Sequence, residues 1–171
     1  MSSGHTHTAF KDIKASRAEL ARCLRLSDVK KRLYDTKFSL NRDYDIPYLA
    51  GYSKDGRIVY IDRHLPTSLR IGGRLVHIFP FLIVHERTEK ALLDFAGMRY
   101  NEAHELATLA EHKELERHGV SASLYEKALD PYIKADQHEK IQRIPANLDF
   151  RPYKDSNDFK LIQRMNERIA A

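Results

Sequence analysis

A single cysteine, Cys23, is the whole thiol complement of this 171-residue chain, so no intramolecular disulfide can brace it. Stability must come from packing or from a bound metal, and one thiol suits a reducing compartment. Long apolar runs are missing too. The longest, Ile78 to Val84, falls far short of the roughly 20 residues that a membrane-spanning helix needs. Met1 to Thr8 is polar and lacks the apolar centre of a signal peptide, so a cytoplasmic protein with no membrane partner is expected. No Gly-x-Ser-x-Gly elbow is present, Cys23 has no histidine nearby in sequence, and Gly72-Gly73 is too short to cradle a phosphate. Zinc-finger spacing, an RNA-recognition signature, an arginine block, internal repeats and low-complexity segments are likewise absent.

What is present reads as an ordinary globular chain, 31% charged and 42% hydrophobic. The length suits one domain, with residues 1–10 as a disordered N-terminus and 11–171 as a single α+β domain. The net charge of +5 comes from 29 basic and 24 acidic residues. Its excess gathers early, at Lys11, Lys14, Arg17, Arg22, Arg25, Lys30, Lys31 and Arg32, interrupted by Asp12, Glu19 and Asp28. Such a pattern is foremost the solvated face of an amphipathic helix, with nucleic-acid or membrane-surface contact as the second reading.

Capping and periodicity predict a helix over 16–34, opened by Ser16 with Glu19 three residues later. Ile46 to Tyr52 and Arg57 to Asp62 read as strands around the Asp55-Gly56 turn, and Arg74 to Phe79 as a further strand after Gly72-Gly73. Pro80 opens a helix that runs to Ala96 and stops at Gly97. A second helix runs from Tyr100 to His118 and stops at Gly119, and the short link makes the two antiparallel neighbours. Ser121 to Ile133 is a third helix, Pro145 to Tyr153 is extended, and Asn157 to Ile169 is a last helix. The expected fold is α+β: a small antiparallel hairpin or sheet packed against a central antiparallel helical hairpin and flanking helices.

Ionisable side chains on the wrong faces of that hairpin are the main functional signal. Residues three and four apart share a helix face, which aligns His85 and Glu89 with Phe81 and Leu92 and puts Glu86 between Leu82 and Leu93. On the second helix Ala103, His104, Ala107, Glu111 and Leu115 form one stripe. Counting residues back from the turn sets His85 level with Glu111 or His112, and Glu89 level with Thr108. His104 falls about 6 Å nearer the turn at 1.5 Å per residue. Buried charges are costly unless they pair or bind a metal. Two readings follow. One is a divalent-metal site built from His85, Glu89 and Glu111, with His104 as a rival or additional ligand. The other is a buried polar network in which Glu89 pairs with His104, Arg74 or Arg99. His112 and His118 are read as surface residues.

The run Ile83-Val84-His85-Glu86-Arg87-Thr88-Glu89, preceded by the strand Arg57–Asp62 and followed by a helix carrying Glu111, resembles the HExxH zinc peptidases, in the branch with a glutamate third ligand. The resemblance covers residues 56–118. It implies a metal-dependent hydrolase of peptide or protein substrates, with zinc as the metal, Glu86 as general base and the strand Arg57–Asp62 as a substrate-binding edge. Tyr100 or His104 would steady the oxyanion. The sequence departs from that pattern where the second histidine should stand, because Glu89 occupies the position. A more oxygen-rich site also suits manganese or iron, and an inactive relative that binds a partner through the same fold is the alternative.

Overall fold

The computed structural model describes residues 29–136, except 32 and 34, and residues 141–169. Met1 to Thr8, Cys23, the basic cluster from Lys11 to Arg25 and most of the helix expected from Ser16 lie outside the described residues. The described part of 29–35 is helical, with Val29 buried and Lys30 and Lys31 exposed.

The elements are β1 (Ser39–Asn41), β2 (Ala50–Tyr52), β3 (Ile58–Ile61), β4 (Ser68–Ile71), β5 (Arg74–His77), α1 (Phe79–Phe95), α2 (Tyr100–Arg117), α3 (Ala122–Asp136), α4 (Arg151–Asp155) and α5 (Phe159–Asn166). The fold is α+β. Its strands form a three-stranded sheet in the order β1-β3-β2 and a separate antiparallel pair, β4-β5. In the latter, Gly72 and Gly73 both take positive φ, 55° and 80°, as a two-residue hairpin turn requires.

Two strand expectations need correcting. β3 runs parallel to β1 and antiparallel to β2, so the strand read as a free substrate-binding edge is the centre of its sheet. The exposed, polar β1 fills the edge of β3 that was expected to be open. The strand expected from Ile46 begins only at Ala50, because Tyr48 and Leu49 stand at φ 63° and 72° in the left-handed region. Such backbone is costly for residues with a side chain and cannot belong to a strand. The extended segment expected to reach Tyr153 gives way to α4 at Arg151, whose first turn carries Pro152. The last helix opens at Phe159, where the Asp158 carboxylate accepts from the Leu161 N–H.

The helical hairpin forms where expected. Pro80 sits in the first turn of α1, and Gly97, at φ 61°, closes the helix beyond Ala96. Ala103, Ala107 and Leu115 on α2 are fully buried, so small side chains let the two backbones come close. One core joins α1 and α3 to β4 through Phe81, Leu82, Leu69 and Leu129. A second packs α4 and α5 under β3 through Tyr60, Tyr153, Leu161 and Met165. A third sets Tyr52 of β2 against Ala91 and Leu92 of α1. Helix α1 therefore lies between β2 and α2, which brings its charged face to the middle of the molecule. Among the described residues no helix is long and apolar enough to cross a membrane.

Candidate metal centre

His85 and Glu89, one turn apart on α1, are both buried, and His104 reaches them from α2 with its ring about half exposed. Glu89 Oε2 lies 2.8 Å from His104 Nδ1 and 3.7 Å from His85 Nε2, and the two ring nitrogens are 3.2 Å apart. Three ligand atoms of the right types thus form an uneven triangle, the one group among the described residues with the spacing to hold a metal ion. A tetrahedral ion with ligands at about 2.0–2.1 Å separates its ligand atoms by roughly 3.3 Å. Two imidazoles and one carboxylate, and the space between them, fit the ion.

Glu111, also expected as a ligand, occupies a different place. Its Oε2 accepts a hydrogen bond from His85 Nδ1 at 3.0 Å, on the side of the ring away from Nε2. Its Oε1 accepts from the Tyr125 hydroxyl of α3 at 2.7 Å. Glu111 thereby anchors Nδ1 and turns Nε2 towards Glu89 and His104, the role a carboxylate takes behind a metal-ligating histidine. Glu89 is oriented in the same way: the Tyr52 hydroxyl of β2 donates to its Oε1 at 2.7 Å and leaves Oε2 for the centre. Neither tyrosine is legible as a site residue from sequence, since each comes from an element distant in the chain and lies in an ordinary apolar pattern.

The electrostatics follow from packing five ionisable groups together. Burial alone would lower the basicity of His85, but its hydrogen bonds to Glu111 and Glu89 overcome this and raise the pKa to about 10. Burial would raise Glu89, yet His104, His85 and Tyr52 hold it down at about 2. Glu86 goes the other way. Desolvation pushes it up to about 8, aided by Glu89 and Glu111 and opposed by His85. No hydrogen bond to Glu86 is found among the described residues, and it borders two cavities. The residue keeps part of its surface open there, while the protein packed round its carboxyl accounts for the shift. Burial and the nearby carboxylates push the Tyr52, Tyr125 and Tyr100 hydroxyls up, so all three stay protonated donors.

The centre opens into a cavity of about 470 Å³ between α2, α3, β2 and α4. His85, Glu86, Glu89 and His104 all line it, and so does Tyr100, whose ring lies 5.5 Å from that of His104 at 31°. His112, read as a surface residue, borders the cavity as well and pairs with Glu126 at 2.9 Å. His118 binds back to its own helix at the Glu114 carbonyl. Arg74 and Arg99 take no part: Arg74 donates to the Gly119 carbonyl and Arg99 pairs with Glu102. Beside the centre, the Lys90 ammonium is buried against Asp149 at 2.7 Å and Asp94 at 3.0 Å, tying α1 to the segment before α4.

The cavity wall also includes Ala50 and Gly51 of β2. Ladder bonds run from Asp62 N to Leu49 O and from Ser53 N to Ile58 O, so by alternation Ala50 turns its own N–H and C=O away from β3. The outer edge of β2 is partly taken, since the Tyr52 carbonyl accepts from Asp149 N at 2.9 Å. No protein-family model, curated protein or solved structure matches this chain.

Proposed function

We propose that this protein is a zinc-dependent hydrolase acting on peptide bonds, with His85, Glu89 and His104 as metal ligands and Glu86 as general base. The observation that carries the reading is the triangle of two imidazole nitrogens and one carboxylate oxygen, 2.8, 3.2 and 3.7 Å on its sides, at the wall of a cavity. Its donor set equals that of the zinc peptidases the sequence resembles, with two positions exchanged. Glutamate stands one turn after His85, and the second histidine comes from the following helix. Glu111 supports His85 instead of binding.

Zinc held there would supply Lewis acidity, which acidifies water and polarises a carbonyl. The remaining work belongs to the chain. Glu86 takes a proton from the attacking water and delivers it to the leaving nitrogen, a role that suits a carboxyl whose pKa lies near neutrality. Tyr100 and the exposed flank of His104 face the cavity where negative charge develops on the carbonyl oxygen. An extended substrate would lie along β2 at Ala50, not along β3.

Manganese or iron suits two imidazoles and a carboxylate as well; the unbonded carboxyl of Glu86 beside the ligands favours hydrolysis over redox chemistry. Elemental analysis after reconstitution with zinc, manganese or iron, on protein purified without a nickel column, tests the reading. One equivalent of metal, lost in His85→Ala, is expected. A metal-free protein after all three reconstitutions would leave the second reading, a non-catalytic binding or assembly protein. That reading is favoured by the closure of the His85, Glu89, His104 and Glu111 hydrogen bonds on one another.

A further inference from the structure

We infer that the cavity selects a peptide carrying a lysine or arginine side chain beside the bond to be cleaved, with Glu126 as the residue that sets this preference. The inference rests on the hydrolase reading above and adds a substrate class to it. The chain contains 29 lysines and arginines, yet among the described residues none lines the cavity, whereas five carboxylates do. His85 and a bound metal offset Glu89 and Glu111, and a further carboxylate that faces the cavity would draw in a cationic ligand and turn away phosphates and carboxylates.

Four of the five carboxylates are already committed. Glu89 and Glu111 are held by histidine and tyrosine, Asp149 by Lys90 and the Arg151 N–H, and Glu86 is the proposed base. Glu126 is left. Its side chain is 58% exposed, and its one partner among the described contacts is His112, itself at the cavity wall. On α3, Leu129 and Ile133 follow Glu126 at three and seven residues, so all three share one stripe, and all three line the cavity with Leu82. An apolar lane that ends in a carboxylate matches a side chain with an aliphatic stem and a cationic head. It does not match a free terminal amine, which has no stem to bury.

The test uses the full chain loaded with zinc and end-blocked pentapeptides Ala-Ala-Xaa-Ala-Ala, where Xaa is lysine, norleucine or glutamate. Binding of dye-labelled peptides is read by anisotropy on the Glu86→Gln protein, and cleavage by mass spectrometry on the unaltered one. The lysine peptide should bind at least tenfold tighter than the glutamate peptide, with norleucine between them. Adding Glu126→Lys should reverse the order, and adding Glu126→Gln should compress it, with zinc content and melting temperature as controls for folding. Equal binding of the three, no binding, or an order unmoved by Glu126→Lys overturns the inference. Cleavage separates the two claims: three peptides cut equally would sink the preference and leave a hydrolase. Lysine-selective binding without cleavage would uphold the preference and sink the hydrolase.

Discussion

Tyr125 and Glu111 meet at 2.7 Å, the hydroxyl donating to the carboxylate oxygen that His85 does not use. The contact ties α3 to the proposed metal centre without supplying a ligand. Removing the hydroxyl in Tyr125→Phe keeps the ring packed on Phe81, whose centroid is 5.7 Å away, and leaves Glu111 free to turn. Zinc affinity should fall about 10- to 100-fold, as for other residues that orient a ligand from behind. Competition against a chelator of known affinity checks this; an unchanged affinity would remove Tyr125 from the site.

His85→Ala and Glu86→Gln should fail differently although the residues are neighbours. The first removes a ligand and leaves the carboxylates facing one another, so both bound metal and melting temperature drop. The second keeps volume and metal and removes proton transfer, with a rate loss on the order of 10²-fold or more. Melting curves with and without EDTA, together with metal content, separate them. A Glu86→Gln protein that loses its zinc would make Glu86 a ligand.

Metal uptake should release protons. His85 in the metal-free protein holds its proton up to about pH 10, so an ion that takes Nε2 at pH 7 displaces one. Apparent affinity should rise about tenfold per pH unit for each proton displaced. Titrations in buffers of different ionisation enthalpy count the protons, and a count of zero at pH 7 would contradict the protonated cluster.

The same groups fix how the metal-free protein responds to pH. His85 is raised from 6.5, so its contribution is complete below that value and is lost as pH rises through about 10. Glu86 is raised from 4.5, so its contribution is complete below that value, falls as pH rises, and is gone once pH has passed about 8. Glu89 is lowered, so its contribution is present above 4.5 and is lost as pH falls towards 2. Urea midpoints in EDTA should therefore decline from pH 7 to 10, and zinc should flatten that decline. A midpoint constant over that range in EDTA would refute the assignment.

Lys90→Met offers a control that spares the metal. It leaves Asp149 and Asp94 without their buried partner, which costs about 3–5 kcal/mol in comparable cases. Bound zinc per folded protein should stay at its starting value while the denaturation midpoint falls. Loss of zinc in proportion would show that Lys90 acts on the centre directly.

Helical periodicity made much of the hairpin and of its charged face legible in advance. His85, Glu89 and Glu111 are buried, and a half-exposed His104 reaches them, because each falls on the apolar stripe of its helix. Counting along the helices also sets His85 level with Glu111 or His112, and Glu111 is the one it meets, whereas Glu89, set level with Thr108, meets His104. It could not rank His104 against Glu111 as a ligand, because that depends on which nitrogen of His85 each one faces. Residue spacing says nothing about that. The tyrosines were hidden for another reason. Tyr52 and Tyr125 sit where an apolar ring is expected, and a hydroxyl at its tip leaves no period in the sequence. The free edge was assigned to β3 because Ser39–Asn41 is too short and too polar to announce a strand.

The two left-handed residues at the cavity rim, Tyr48 and Leu49, leave a mark on which sequences this fold can tolerate. Positive φ is cheap for glycine, tolerable for asparagine and aspartate, and worst for branched side chains. Substitution tolerance at 48 and 49 should therefore run against ordinary chemical similarity: asparagine would outperform valine at Leu49, a buried position where valine is the closer match in polarity. Hydrogen bonds hold the turn on both sides, from Asp62 N to Leu49 O and from the Tyr153 hydroxyl to Pro47 O. That corner of the cleft keeps its shape at the expense of its freedom to vary, and a family of descendants would change the cavity elsewhere first.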